Sequence, residues 1–393
     1  MTNKDFNDVK HRMTRRLNGW DYRQRAIYFI TLVLQDRSMP WLGRLTCIEA
    51  SGEVKYAIQL TDYGRACLAA LEELPKRYPQ VRLLELQVMP EHVHVVLFVQ
   101  QDLQVSLGSL IRGVKAGARK RWKQIEESQG IKAPRWATGF QDTILLHEHQ
   151  LTKMCAYVRD NPRRLAEKQC HSQYFCDVRQ IELPLYQTSL VGKFQALGNL
   201  ALLSYPLFQV QCSRRWFTYQ RVNMRNGGVK ILRDAQGVPQ VAQQTSDYQV
   251  VLNEALTAVA KGWVLLSPCI SDGERQIARE VLNRGGRLIV FRNKGFPPYG
   301  EKPAGRAFNA CAQGRLLQFA PAAWPYVYNE KPITRVDAMI LNRLAQWVAA
   351  ENAAHITYRG CRLKDVDALA AKAVLAKPAN RSNNGPAQDT HHA

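Results

Sequence analysis

The chain has 393 residues, is 46 % hydrophobic and carries a formal net charge of +21. The length points to two domains and the apolar share supports packed cores, while the charge attracts polyanions, nucleic acid foremost and a membrane surface second. No run of about 18 apolar residues excludes a membrane-spanning helix, and Met1 to Arg16 is too polar for a signal peptide, so a cytoplasmic protein is expected.

Residues 1–19 carry Lys4, Lys10, His11, Arg12, Arg15 and Arg16 and read as a basic arm. Residues 26–35 (AIYFITLVLQ) read as a strand, and 45–60 as a hairpin turned at Ser51-Gly52. A helix over 61–77 follows, with Thr61 or Asp62 as its N-cap. Residues 81–89 and 92–100 read as two strands separated by Pro90-Glu91, hence an antiparallel pair. The second begins His92-Val93-His94. In a strand, positions i and i+2 share a face, so both imidazoles project side by side and can share a divalent metal. Taken alone, such a pair is more often two hydrogen-bonding histidines on a sheet.

Residues 105–127 read as a helix dense in cations: Arg112, Lys115, Arg119, Lys120, Arg121 and Lys123, with Trp122 among them. A solvated basic face is one reading. The other is a surface for a DNA backbone, with Trp122 either packing or stacking a base. After a strand ending near residue 146, a helix over 150–168 carries Tyr157 and Asn161, four apart and so on one face. A tyrosine hydroxyl beside a metal can attack a phosphodiester, and the Asn161 oxygen can join the metal shell. His147-Glu148-His149 is a second H-x-H, but at helical spacing its rings diverge, and it is read as surface or DNA-facing. The succession strand, hairpin, helix, two strands, helix, strand, helix fits a ferredoxin-like α+β arrangement with helices on one side of an antiparallel sheet.

Residues 169–246 read as a connector and the start of a second domain, with a turn at Asn226-Gly227-Gly228. From residue 247 to 376, helices alternate with short apolar strands, which predicts a parallel sheet with helices on both faces. No glycine-rich phosphate loop follows any of these strands. Residues 377–393 are rich in Asn, Pro, Ser and Gly and are expected to be disordered. The nine cysteines, never spaced C-x-x-C, read as free thiols; Cys170-His171 with Cys176 is their one local cluster, a weak metal candidate.

Met89-Pro90-Glu91-His92-Val93-His94 with its apolar continuation, and Tyr157-Val158-Arg159-Asp160-Asn161-Pro162-Arg163-Arg164, resemble the HUH single-strand DNA transposases. Within them they are similar to the REP-associated tyrosine transposases, whose pattern is M-P-N-H-V-H and later Y-I-x-x-N-P-x-R/K. The resemblance covers residues 20–168; Glu91 stands where the family commonly has Asn. It implies a ferredoxin-like HUH domain in which Mg²⁺ or Mn²⁺ is held by His92, His94 and Asn161. It further implies that Tyr157 attacks DNA to form a 5′-phosphotyrosine, and that the substrate is single-stranded or hairpin DNA. Arg159, Arg163 and Arg164 would join the cations of the earlier helix in binding it. Family members often work as homodimers. The competing reading is a domesticated DNA-binding or regulatory protein that makes little use of the site; a nicking replication initiator is a third. Residues 247–376 loosely resemble the Rossmann-like domain of the DNA-processing protein A group, with Ser271, Asp272 and Arg306 as the residues to inspect for a ligand.

Overall fold

A computed structural model describes residues 19–50, 53–146, 148–224, 229–235, 238–298, 300–327, 333–349 and 366–375. The basic arm, the Ser51-Gly52 and 226–228 turns, His147 and the tail from Lys377 lie outside the described residues. The chain divides into two compact units, Met1–Cys170 and His171–Ala393. No described helix is long and apolar enough to cross a membrane.

In the first unit, β1 (Ala26–Val33) is followed by the ribbon β2 (Gly43–Ala50) and β3 (Glu53–Leu60). Then come α1 (Asp62–Glu72), α2 (Leu74–Arg77), β4 (Val81–Val88), β5 (His92–Val99), α3 (Leu107–Gln129), β6 (Gln141–Leu145) and α4 (Glu148–Cys170). Thr61 caps α1 by accepting the Gly64 N–H at 3.2 Å. The single helix expected over 61–77 is broken after Glu72, and Pro75 opens the short α2 instead. Proline lacks the N–H that would have continued the earlier ladder. Ser106 caps α3, and Gly130, at φ 68°, ends it in the left-handed region that glycine adopts cheaply.

The main sheet has the order β4-β5-β1-β6, with every neighbouring pair antiparallel. Leaving the β2–β3 ribbon aside, this is the split βαβ order of a ferredoxin-like sheet. Helices cover both of its faces, which corrects the one-sided arrangement expected from sequence. Tyr28, Ile30 and Leu32 of β1 and Val93, Val95 and Leu97 of β5 pack on one face against α1 and α3. Phe29 and Val96, at the alternate positions, pack on the other face with Leu151, Met154 and Val158 of α4. Both alternating sets of β1 and β5 are apolar, so either face left bare would expose them to water.

In the second unit, the stretch expected to be a connector and the start of a second domain supplies three sheet strands: β7 (Cys176–Pro184), β8 (Val191–Gly198) and β9 (Leu207–Gln209). Two short ribbons follow, built from β10 (Phe217–Tyr219), β11 (Arg221–Asn223), β12 (Val229–Ile231) and β13 (Val241–Gln244). The alternating part is α5 (Ser246–Ala260), β14 (Val264–Ser267), α6 (Asp272–Asn283), β15 (Arg287–Phe291), α7 (Gly305–Ala312), β16 (Leu316–Pro321), α8 (Arg335–Ala349) and α9 (Val366–Leu375). The six-stranded order is β7-β8-β16-β15-β14-β9. Strands β9, β14, β15 and β16 are mutually parallel, and β8 and β7 close the edge antiparallel. One face packs on α5, α6 and α7 and the other on α8 and α9. The four parallel strands follow one another in chain order without a reversal, so the part of the sheet that is parallel lacks the switch point at which doubly wound folds seat nucleotides.

Candidate active site

His92 and His94 leave β5 on the face covered by α4. Their Nε2 atoms lie 3.1 Å apart. The Nδ1 atoms face oxygen: Thr31 Oγ1 lies 3.0 Å from that of His94, and Glu91 Oε1 lies 3.7 Å from that of His92. Thr31 is placed there by strand register, as the partner of His94 across the β1–β5 pair. In the tautomer in which the His94 Nδ1–H donates to Thr31, its Nε2 lone pair faces the Nε2 of His92, whose Nδ1 side turns toward the Glu91 carboxylate. Two lone pairs at that separation repel unless a proton or cation lies between them. His94 is 6 % exposed, whereas 22 % of the His92 side chain is open, so access to the pair is from the His92 side.

Tyr157 stands on α4 against this pair. Its ring centroid is 5.7 Å from that of His94 and 6.1 Å from that of Phe29, edge-on to both. Phe29 also stacks on His94 at 5.2 Å, so the three rings hold one another. Arg164, one turn beyond Asn161, is itself buried and lies over the Tyr157 ring at 5.2 Å. Burial pulls the Arg164 pKa down, yet a guanidinium stays charged at any ordinary pH. Buried Asn161 donates its Nδ2 to the Tyr157 carbonyl at 2.7 Å, which commits the nitrogen and leaves the oxygen as the atom able to ligate. Pro162, next in the helix, lacks an N–H.

Two imidazole nitrogens, were an amide oxygen to join them, would make a mixed donor set that suits a divalent cation. Among the described residues, no group of three or more His, Cys, Asp or Glu side chains is placed to hold a metal. That also leaves the Cys170-His171-Cys176 cluster without support. Further donors at the histidine pair would have to be water or a ligand. Thr31, Phe29 and Glu91 are the neighbours that sequence reading does not single out. Only strand register reveals the first two, and Glu91 reads there as a mere departure from pattern.

The cations expected to bind DNA fall into two groups. Those of α3 lie on the helix that packs on the opposite face of the sheet from the histidines, so they do not flank the pair. Trp122 is the clearest correction. It is fully buried, donates to the Tyr63 carbonyl at 2.8 Å and stacks on Trp136, so it cannot stack a base. Its apolar bulk wins a place in the core because α1 leaves a carbonyl for the indole N–H. Lys115 reaches the Ala137 carbonyl at 2.9 Å and the Gly139 carbonyl, and burial pushes its pKa down to about 8. Arg121 is paired with Glu73. Lys123 faces Glu127 at 3.6 Å, and Arg112 donates to Ser109 at 2.8 Å; both are exposed, as are Arg119 and Lys120. On α4, Arg159 pairs with Glu85 at 3.0 Å and Arg163 with Asp160 at 2.6 Å. His147 and the side chains of Glu148 and His149 lie outside the described residues.

In the second unit, Ser271 caps α6 in a capping box with Glu274. The buried Glu274 carboxylate accepts from the Cys212, Ile270 and Ser271 N–H groups at 3.1, 2.6 and 3.3 Å. Burial raises its pKa against those donors. Asp272 is paired with Arg221, and with Arg275 at 2.6 Å. Burial opposes its charge, but hydrogen bonds from Arg275, the Tyr219 N–H and Arg221 outweigh that and hold its pKa below the usual value. Arg306 is exposed on the first turn of α7.

No family model matches the chain. An uncharacterized protein of Haemophilus influenzae is 24 % identical over 182 residues, covering 41 % of this chain and 94 % of its own length. Among solved structures, a REP-associated tyrosine transposase bound to a REP hairpin is 16 % identical, covers 38 % of this chain and 73 % of its own, and overlays with a TM-score of 0.28. A Deinococcus radiodurans R1 protein provisionally named a transposase is 13 % identical, covers 37 % of this chain and 97 % of its own, with a TM-score of 0.22. Overlays at these scores carry no weight for function, which rests on the residues of the site.

Proposed function

We propose that the first unit cleaves and rejoins single-stranded DNA through Tyr157, as a transposase of the tyrosine HUH type. The observation that carries this reading is the convergence of two Nε2 atoms at 3.1 Å beside a tyrosine ring packed on one of them. His92, His94 and the Asn161 oxygen would hold Mg²⁺ or Mn²⁺, which when bound withdraws charge from a scissile phosphate. Thr31 keeps the His94 imidazole turned so that Nε2 faces that position, and the Glu91 carboxylate places negative charge on the far side of His92. The Tyr157 oxygen attacks phosphorus, the phosphorus–O3′ bond breaks, the tyrosine gives up its proton to solvent and the departing 3′-oxygen takes one up. The products are a 5′-phosphotyrosine and a free 3′-hydroxyl. Because the phosphodiester energy is kept in the covalent bond, a second 3′-hydroxyl can reverse the step and join new DNA without ATP. Arg164 fixes the ring and supplies positive charge beside the phosphate that the ring would carry.

A covalent-trapping gel tests this. End-labelled single-stranded and hairpin oligonucleotides are incubated with the full chain and Mn²⁺ or Mg²⁺, then denatured in SDS. The expected result is a metal-dependent shifted band that disappears in Tyr157→Phe while DNA binding is kept. Tight hairpin binding with no band under any metal would overturn the enzyme in favour of a regulatory DNA-binding protein.

A further inference from the structure

The face of β5 that carries the histidines continues past them. Positions 92, 94, 96 and 98 alternate onto that face, with Val96 covered by α4 and Phe98 only partly buried at the far end. Phe98 lies four residues from His94, about 13 Å along the strand. It borders a cleft of about 490 Å³ lined by Arg25, Pro79, Gln80, Phe98, Gln100 and Gln101. The Arg25 guanidinium lies over the Phe98 ring at 5.5 Å. Exposed Arg82 is the register partner of Phe98 on β4.

Three chemistries meet here. Phe98 and the planar Arg25 form a stacked pair on which a flat heteroaromatic can lie. Gln80, Gln100 and Gln101 offer paired amide donors and acceptors that match the edge of a base. Arg25 and Arg82 supply cations for a phosphate. A protein ligand would find little apolar surface here, and a duplex keeps its bases stacked on one another. An unpaired nucleotide satisfies all three.

We propose that this cleft is a subsite that stacks one unpaired base of a single-stranded DNA on the Arg25–Phe98 pair. The inference deepens the proposed DNA strand-transfer reading and rests on it for the identity of the polymer. The subsite would hold a nucleotide outside the reacting position and so set the register of the strand relative to Tyr157. Phe98 and Arg25 are therefore binding residues, remote from the reacting atoms.

The test uses the full chain carrying Tyr157→Phe, so that binding is read without turnover. Oligonucleotides with 5-iododeoxyuridine at successive positions are photocrosslinked and the adducts mapped by mass spectrometry. The expected result is one oligonucleotide position that crosslinks to Phe98. In equilibrium binding, Phe98→Ala should weaken single-strand affinity roughly five- to a hundredfold. Phe98→Trp should retain affinity within a few fold, and duplex affinity should not change. Phe98→Leu keeps apolar bulk without a ring; it should lose affinity at an unchanged melting temperature, which separates stacking from misfolding. Wild-type single-strand affinity in both Phe98→Ala and Phe98→Leu, or crosslinks confined to other residues, would overturn the subsite. If covalent trapping by the wild-type chain succeeds in that case, the strand-transfer reading stands without it. If trapping fails but the Phe98 crosslink and affinity loss appear, the subsite stands and the enzyme falls. A chain that binds no single-stranded DNA overturns both.

Discussion

The histidine pair of the first unit and the Ser267–Glu274 loop of the second are both polar clusters at a strand end, and they behave oppositely. In the loop, every polar group singled out finds a partner within the chain: Ser271 and Glu274 close a capping box, Glu274 gathers three backbone N–H groups, and Asp272 holds two arginines. At the histidines, Thr31 is within hydrogen-bond reach of the outer nitrogen of His94 and the Glu91 carboxylate lies 3.7 Å from that of His92, while the inner two face each other at 3.1 Å. A cluster that closes on itself stabilises a fold. A cluster that turns its donors inward on a shared point is arranged for something that arrives from outside.

The sharpest way to break this contrast is His94→Ala. It should abolish metal-dependent adduct formation and, because the buried ring stacks on Phe29, also lower the melting temperature; a folded chain that still forms the metal-dependent adduct would break the contrast. Glu274→Ala should do the reverse, costing about 3 kcal/mol or more because three buried N–H groups lose their acceptor, with adduct formation per folded molecule unchanged. Denaturant titration of the full chain measures it. Thr31→Val removes only the oxygen that holds the His94 tautomer and should weaken Mn²⁺ binding roughly 10- to 100-fold, read by calorimetry, at little cost in stability. Asp272 gives a smaller, pH-dependent effect. Its folded pKa lies below the usual 3.8, so its contribution is present above that value and is lost as pH falls through the lower folded one. Asp272→Asn should therefore flatten the decline of melting temperature with acid below about pH 4. Least of all, Arg119→Ala should stay within about 0.5 kcal/mol in stability and leave adduct formation intact, since α3 lies across the sheet from the site.

Much of this was legible from residue order because it depends on local chemistry. The β-branched run after Pro90 defines a strand, and period two puts His92 and His94 on one face wherever that strand ends up. Period 3.6 places Tyr157 and Asn161 together in the same way. The cations of α3 show where local reading stops. Arg112 to Lys123 announce a basic helix, but which side of the sheet it covers depends on which alternate set of β5 it meets, and both sets are apolar. Trp122 reads equally as core or as stacking platform until Tyr63 supplies a buried carbonyl for its N–H. Within residues 169–246, read as a connector and the start of a second domain, β7, β8 and β9 join one sheet only through the distant neighbours they pair with.

The sequence by itself determined most elements of the first unit, the shared face of the two histidines and the shared face of tyrosine and asparagine, because each follows from a backbone repeat. Only the tertiary structure decided that these two faces meet. Strand pairing β4-β5-β1-β6 brings Thr31 to His94, and the packing of α4 on Phe29 and Val96 brings Tyr157 to the same imidazole. Such contacts join residues far apart in the chain, and they form because burying both faces of one sheet lowers the free energy more than any local preference can.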